Sequence, residues 1–376
     1  MKRNLAIDYL RSSVTMLVVA HHAALAYNTF SQYNPAHYME STAPVVDTSR
    51  WMPLDWFVGW NEMFFMPLMF LISGLFTIPS IERKGAGSFL ADRTKRLGIP
   101  FVIAVTVLGP LVYYPSWLSS DAVGQGDFLR HFFTDYWSGG PAWFLWVLLT
   151  FCGIVAVACR LFPDLMKKLS WSAPSARSLV IVFLAVSLLT TLPVRLFVLP
   201  AAWSKLAGPF VFQTWKLLLY FAWFLLGVAL GGENLELSLS GNNLRPWPIW
   251  LVLGAFAYGG HGLLELRGAW FENTPAWLMS VILATLYSFC CTFVSLAALG
   301  LAHSFFQTAR HLADNLTENA YGIYVFHYGF VTWIQFSLLT KPLPAALKFL
   351  ITFFIALTAS WLLTVLLRKT AASKVL

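Results

Sequence analysis

Charge is scarce in this sequence: only 11% of its 376 residues are Asp, Glu, Lys or Arg, against roughly 25% in a soluble domain. A water-facing surface around the whole chain is thereby excluded, because too little charge is present to solvate it. Cysteine is scarce as well. Cys152, Cys159, Cys290 and Cys291 all lie inside apolar runs without metal-ligand spacing, so they read as small apolar-facing residues and no metal site is expected. The sequence has no P-loop, GxSxG, HExxH or cysteine-rich metal signature. It also has no low-complexity tail, no soluble domain and no internal repeat.

Apolar residues fill the space. They make up 58% of the chain, and 16% is aromatic, with 17 Trp and 32 Phe. The long runs are apolar all round, which suits lipid rather than a half-wet surface. Runs of membrane-spanning length occur at about 12–30, 55–79, 97–117, 142–162, 178–198, 212–231, 246–262, 275–302, 318–338 and 344–367. The expected fold is an all-α integral membrane protein of about ten transmembrane helices, forming a single domain over residues 1–376, with the lipid bilayer as its solvent.

The formal charge of +8 invites a nucleic-acid reading, but the basic residues sit in short stretches between apolar runs. That is a topology signal, and no nucleic-acid partner is expected. With the N-terminus in the cytoplasm and sides alternating, 17 of the 25 Lys and Arg fall inside, so the positive-inside rule places both termini in the cytoplasm. The start resembles a signal peptide, with Lys2 and Arg3, an apolar stretch and Ala24-Leu25-Ala26. Asp8, Arg11, His21 and His22 make a poor signal core, so this stretch is read as a retained first helix. Two external segments, about 31–54 and 118–141, are long enough for a lid or an acceptor surface; plain connectors are the equal alternative.

The first helix carries the most informative pair. Arg11 and His22 are eleven residues apart, which puts them on one helical face roughly 16 Å apart along the axis. Arg11 then sits near the cytoplasmic boundary and His22 deeper, where an imidazole is costly to leave unpaired and serves as a general base. The bland alternative is a histidine bonded to a neighbouring helix for packing. His21 points about 100° away, and Asp8 is spaced to pair with Arg11. Arg93 and Arg96 bring two forked donors to the entrance of the third helix, suited to phosphate; an ordinary positive-inside anchor explains them as well. Glu62 is an intramembrane carboxylate in need of a partner, or an interfacial residue exposed to headgroups. Ser73-Gly74 reads as a close-packing site, and His327 as a second imidazole with a packing, catalytic or substrate-orienting role.

Taken in order, these stretches resemble the membrane acyltransferase-3 family. The resemblance lies in Asp8-Tyr9-Leu10-Arg11 followed by His22, in Phe70 to Gly74, in Arg93 to Leu97, in Trp143-Phe144-Leu145, and in Tyr321 to His327 with Tyr324 inside it. Arg96 to Pro100 is similar to the glucan-biosynthesis, or glucan succinyltransferase-like, branch. That branch has His before the Trp-Phe-Leu element, where this chain has Pro141-Ala142. The resemblance implies a multi-pass enzyme of the bacterial inner membrane. It implies an acyl group, acetyl or succinyl, moved from cytoplasmic acyl-CoA to a hydroxyl of a carbohydrate or glycan acceptor at the outer face. It implies no permanently bound cofactor. His22 and Arg11 are then the catalytic candidates and Arg93 and Arg96 the CoA-binding ones; Asp8, Glu62, Trp143, Tyr324 and His327 bind substrate or support the site. The competing function is a multi-span transporter or flippase of a lipid-linked or small polar substrate, which intramembrane His and Arg also suit. The absence of repeated halves speaks against it.

Overall fold

The computed structural model describes residues 4–124, 126–163, 170–198, 202–231, 235, 238–266 and 273–376. About 76% of the chain is helical, and the only sheet among the described residues is a hairpin of β1 (Trp203–Lys205) and β2 (Val211–Gln213). The helices are α1 (Leu5–Ala24), α2 (Pro53–Leu75), α3 (Thr77–Lys84), α4 (Ala86–Leu118), α5 (Trp143–Leu161), α6 (Ala176–Arg195), α7 (Leu217–Leu230), α8 (Trp247–Leu266), α9 (Ala276–Phe305), α10 (His311–Leu338) and α11 (Ala345–Arg368).

A helix stands on each of the ten expected runs, but seven, among the described residues, are long and apolar enough to cross a membrane by themselves. α7 is apolar and too short, while α1 and α10 carry too many polar groups. The polarity of α1 and α10 is spent inward. Tyr9 donates to Asp314 at 2.9 Å, Ser12 meets Thr317 at 3.0 Å and His22 meets His327 at 3.2 Å, each pair 305 residues apart. The two helices therefore run parallel and in register. α1 begins earlier than its apolar run because the Asn4 side chain caps it by accepting from the Ile7 N–H. Of the basic residues that set the orientation, Lys2, Arg3, Lys167, Lys168 and Arg267 lie outside the described residues.

The two described chain ends share one end of the bundle. Tyr9 meets the start of α10, and Arg368 at the end of α11 reaches Glu318 and Asn319 there. Arg93, Lys95 and Arg96 lie at that same end, which we term the basic end. At the opposite end the two long segments interlock. Tyr33 donates to the Ser116 carbonyl, the Asp121 N–H to Pro35, and His37 and Tyr38 bond Tyr136 and His131.

Prolines shape α4. Its π-helical turns, Thr94–Gly98 and Ala104–Leu108, each run up to a segment opening with a proline, Pro100 or Pro110. A proline has no N–H for the carbonyl four residues back. For Pro100 and Pro115 those carbonyls belong to Arg96 and Leu111, and both accept from α10 instead, from the Tyr321 hydroxyl and the Trp333 indole. α2 and α7 touch backbone to backbone: a Cβ on Gly74 would stand 2.2 Å from the Phe224 carbonyl, and one on Gly227 2.1 Å from that of Leu71. The Ser73 hydroxyl donates back to Met69 within its own helix, in keeping with a packing site.

Candidate active site

The centre of the site is an imidazole pair across the α1–α10 contact. His327 is fully buried and its Nδ1 lies 2.7 Å from the Tyr324 carbonyl. A carbonyl only accepts, so Nδ1 carries the proton and, in a neutral ring, Nε2 carries a lone pair. That Nε2 faces His22 Nδ1 at 3.2 Å, and His22 Nδ1 also lies 2.9 Å from the Val18 carbonyl. With an acceptor on both sides, His22 Nδ1 is the protonated nitrogen, and the basic lone pair resides on His22 Nε2. His22 is partly exposed where His327 is not. Tyr328 packs edge-on against the His22 ring with centroids 4.8 Å apart.

Tyr328 connects the pair to a small pocket, open to the surface on one side, between α4, the 138–142 turn and α10. The wall from α4 runs from Ala104 to Tyr113, and Tyr324, Tyr328 and Gly329 supply the α10 side. Gly329 has open space where a Cβ would stand, and a π-helical turn forms part of the wall, a distortion frequent at functional sites. On α10, Tyr321, Tyr324 and Tyr328 follow at helical spacing, so they line one face. Tyr321 bonds the Arg96 carbonyl at the basic end. The stretch from Tyr321 to His327 spans roughly 9 Å.

The structure therefore brings together His22, His327 and Tyr324, with Arg93 and Arg96 at the head of the same tyrosine face. The Arg93 guanidinium lies over Phe89 at 5.2 Å, and Arg96 is exposed. The π-helical turn between them opens the angle that regular i, i+3 spacing would give. Arg11 is not beside His22; it pairs with Asp8 at 3.5 Å toward the basic end and stays exposed. Trp143 stacks on Tyr220 in the aromatic core, and its ring does not line the pocket. Glu62 joins His21, at 3.5 Å, and Lys216, at 2.9 Å. The neighbouring histidines of α1 thus serve two networks. The sequence marks Tyr321 as the start of the Tyr321–His327 element but singles out none of Lys216, Tyr328 and Tyr113. Lys216 is open to detection as a lysine at the edge of an apolar run; Tyr328 and Tyr113 have no signal beyond helical spacing. No group of His, Cys, Asp and Glu able to hold a metal occurs among the described residues.

No curated protein and no solved structure matches this chain. The acyltransferase-domain model of the acyltransferase-3 family matches residues 4–365, which takes in both histidines, the basic pair and the tyrosine face. Matched over nearly its whole length, the chain belongs to the acyltransferase-3 family, a family of acyltransferases with membrane-embedded helices.

Proposed function

We propose that this protein is an acyl-CoA-dependent O-acyltransferase with ten membrane-spanning helices and both termini in the cytoplasm of a bacterium, set in the inner membrane. The single observation that carries the reading is the tautomer arrangement at His22: its Nδ1 proton is held by two acceptors, so Nε2 is a free base. The donor enters at the basic end, where Arg93 and Arg96 take CoA phosphates as forked donors. Arg11, at that end too, suits a phosphate better than a thioester oxygen. The pantetheine arm follows the Tyr321–Tyr324–Tyr328 face toward His22, and the pocket beside Tyr328 holds the short acyl chain, acetyl or succinyl.

The acceptor is a carbohydrate hydroxyl reaching His22 from the loop end. His22 Nε2 removes the hydroxyl proton as the oxygen bonds to the thioester carbonyl carbon. The C–S bond breaks, and the proton passes from His22 to the departing sulfur. An O-acyl ester and free CoA thiol result, with the base restored. In this reading the steps consume only acyl-CoA and the acceptor hydroxyl, and no permanently bound cofactor takes part.

The experiment uses purified protein in nanodiscs with labelled acetyl-CoA or succinyl-CoA. Arg93→Ala is expected to weaken binding, and His22→Ala to retain binding and lose turnover. A wild type that binds neither donor overturns the reading and brings the transporter alternative forward.

A further inference from the structure

As the acceptor oxygen bonds to the thioester carbon, an electron pair moves onto the carbonyl oxygen, and within the bundle that charge needs a donor aimed at it. Base and donor stand on two sides of one reacting carbon, each about 3 Å from an atom bonded to it. Most donors near His22 are already committed. Arg11 is roughly 16 Å away along α1 and is paired with Asp8. The Gln335 amide donates to the His22 and Ala23 carbonyls, at 3.1 Å each. The His21 ring is buried, and its Nδ1 is closed off from any opening.

The pocket wall narrows the choice further. Among the described residues that line it, none is charged, and four carry a hydroxyl: Tyr113, Ser138, Tyr324 and Tyr328. Tyr113 and Ser138 face each other at 3.5 Å, and the Gly140 N–H donates to the same Ser138 hydroxyl at 3.2 Å. Tyr324 donates to the Pro141 carbonyl, just as Tyr321 donates to that of Arg96. The Tyr328 hydroxyl alone has no hydrogen-bond partner among the described residues, and unlike the unpartnered Tyr287 hydroxyl it is not sealed among protein atoms. Its ring touches both halves of the site. It packs edge-on against His22, with centroids 4.8 Å apart, and a Cβ on Gly140 in the pocket wall would stand 3.8 Å from it. Two rings at that separation meet the span that base and donor require.

We propose that Tyr328 is a catalytic residue whose hydroxyl donates to the thioester carbonyl oxygen and holds the charge that develops there. This inference rests on the O-acyltransferase reading above. The carbonyl lies between the His22 base and the pocket, with the acyl chain inside and the phenol at the mouth. The acceptor oxygen bonds to the carbonyl carbon as His22 Nε2 takes its proton, the C=O pair moves to oxygen, and the Tyr328 O–H donates to that oxygen. When the pair returns, the C–S bond breaks and the sulfur takes the proton from His22. The phenol keeps its own proton throughout. His327 fixes the His22 tautomer and the adjacent Tyr328 receives the charge, so one turn of α10 serves both ends of the reaction.

The test uses purified protein in nanodiscs with carbonyl-labelled acetyl-CoA or succinyl-CoA. Isotope-edited infrared spectroscopy reads the bound thioester carbonyl directly and needs no acceptor. In the wild type the band is expected at lower frequency than in the free donor, and in Tyr328→Phe it returns toward the free value. With methyl glucoside as acceptor, kcat for CoA thiol release is expected to fall by about 10²–10³ in Tyr328→Phe. Donor affinity changes far less, because the bond strengthens as charge develops. Phe keeps the ring against His22, and the hydroxyl it lacks has no partner in the free protein, so a packing role predicts no change in either signal. An unshifted band in the wild type, a shift that survives in the Phe variant, or a loss of donor affinity as large as the loss of turnover overturns the assignment. A wild type that binds no acyl-CoA defeats the underlying reading instead.

Discussion

His22 and His327 are 305 residues apart in the chain and 3.2 Å apart in the fold, Nδ1 to Nε2. The same offset joins Tyr9 to Asp314 and Ser12 to Thr317, so the imidazole contact is one rung of a parallel, in-register helix pair. The two lower rungs fix the register. The upper one, together with the Val18 carbonyl 2.9 Å from the same nitrogen, fixes which nitrogen of His22 is basic, and that couples helix packing directly to the tautomer at the site.

His327 is accordingly a positioning residue, and its replacement tests that role. His22→Ala is expected to lower turnover by about 10²–10⁴, the usual worth of a general base. His327→Ala leaves His22 a freer choice of tautomer and lowers turnover less, by about tenfold to a hundredfold. His327→Gln, whose amide oxygen accepts in place of Nε2, is expected to recover part of that loss. Donor affinity stays constant in all three. A Gln variant as slow as the Ala variant, with the fold intact, rules out the tautomer argument.

The basic pair predicts a different kinetic signature. Arg93→Ala and Arg96→Ala each remove charge-assisted bonds worth about 1.5–3 kcal/mol, so each weakens acyl-CoA binding by about tenfold or more. Turnover at saturating donor is retained. The difference between wild type and variants shrinks as salt is raised, because these groups lie at the bundle's end and are screened. Calorimetric titration at two ionic strengths checks both points; a salt-independent loss contradicts phosphate binding.

Tyr321 holds the Arg96 carbonyl that Pro100 leaves without its helical partner. Tyr321→Phe removes that bond and is expected to destabilise the protein by about 0.5–1.5 kcal/mol. Pro100→Ala offers a backbone N–H in the same helix and is expected to offset part of that loss in the double variant. Thermal unfolding of the two single variants and the double variant gives the coupling. Additive effects would show that the proline and the tyrosine do not share that carbonyl.

How far the sequence foretells this arrangement differs from residue to residue. The apolar runs locate the helices to within a few residues because burial in lipid demands continuous hydrophobicity. α4, α1 and α10 depart most, starting eleven, seven and seven residues before their runs; α1 does so because its Asn4 cap sits in polar sequence that hydropathy does not register. His22 and Glu62 stand out because a polar group in an apolar run is expensive. Their pairings do not. His327 lies 305 residues away, and Lys216 reads as an ordinary boundary lysine until the fold places it 2.9 Å from Glu62. Local spacing misleads at Arg93 and Arg96, where the proline-linked π-helical turn replaces the α-helical geometry that the i, i+3 argument assumes.

A second buried ion pair makes a prediction about the loop end. Asp47, 1% exposed, meets Lys348, 2% exposed, at 2.6 Å, tying the 31–54 segment to α11. Asp47 also bonds the Ala26 carbonyl through its backbone, and Arg50 donates to the Asn28 and Ser31 carbonyls, so the segment is anchored just past the end of α1 that carries His22. Removing one charge strands the other in a dry site, and Asp47→Asn or Lys348→Met is expected to cost about 3–5 kcal/mol. The paired replacement Asp47→Leu with Lys348→Met leaves no stranded charge and is expected to recover most of that stability in thermal unfolding. If the single variants unfold at the wild-type temperature, the pair does not anchor the segment. If the paired variant is stable and still loses turnover at unchanged donor affinity, the anchor matters for holding the acceptor side of the site in place rather than for holding the bundle together.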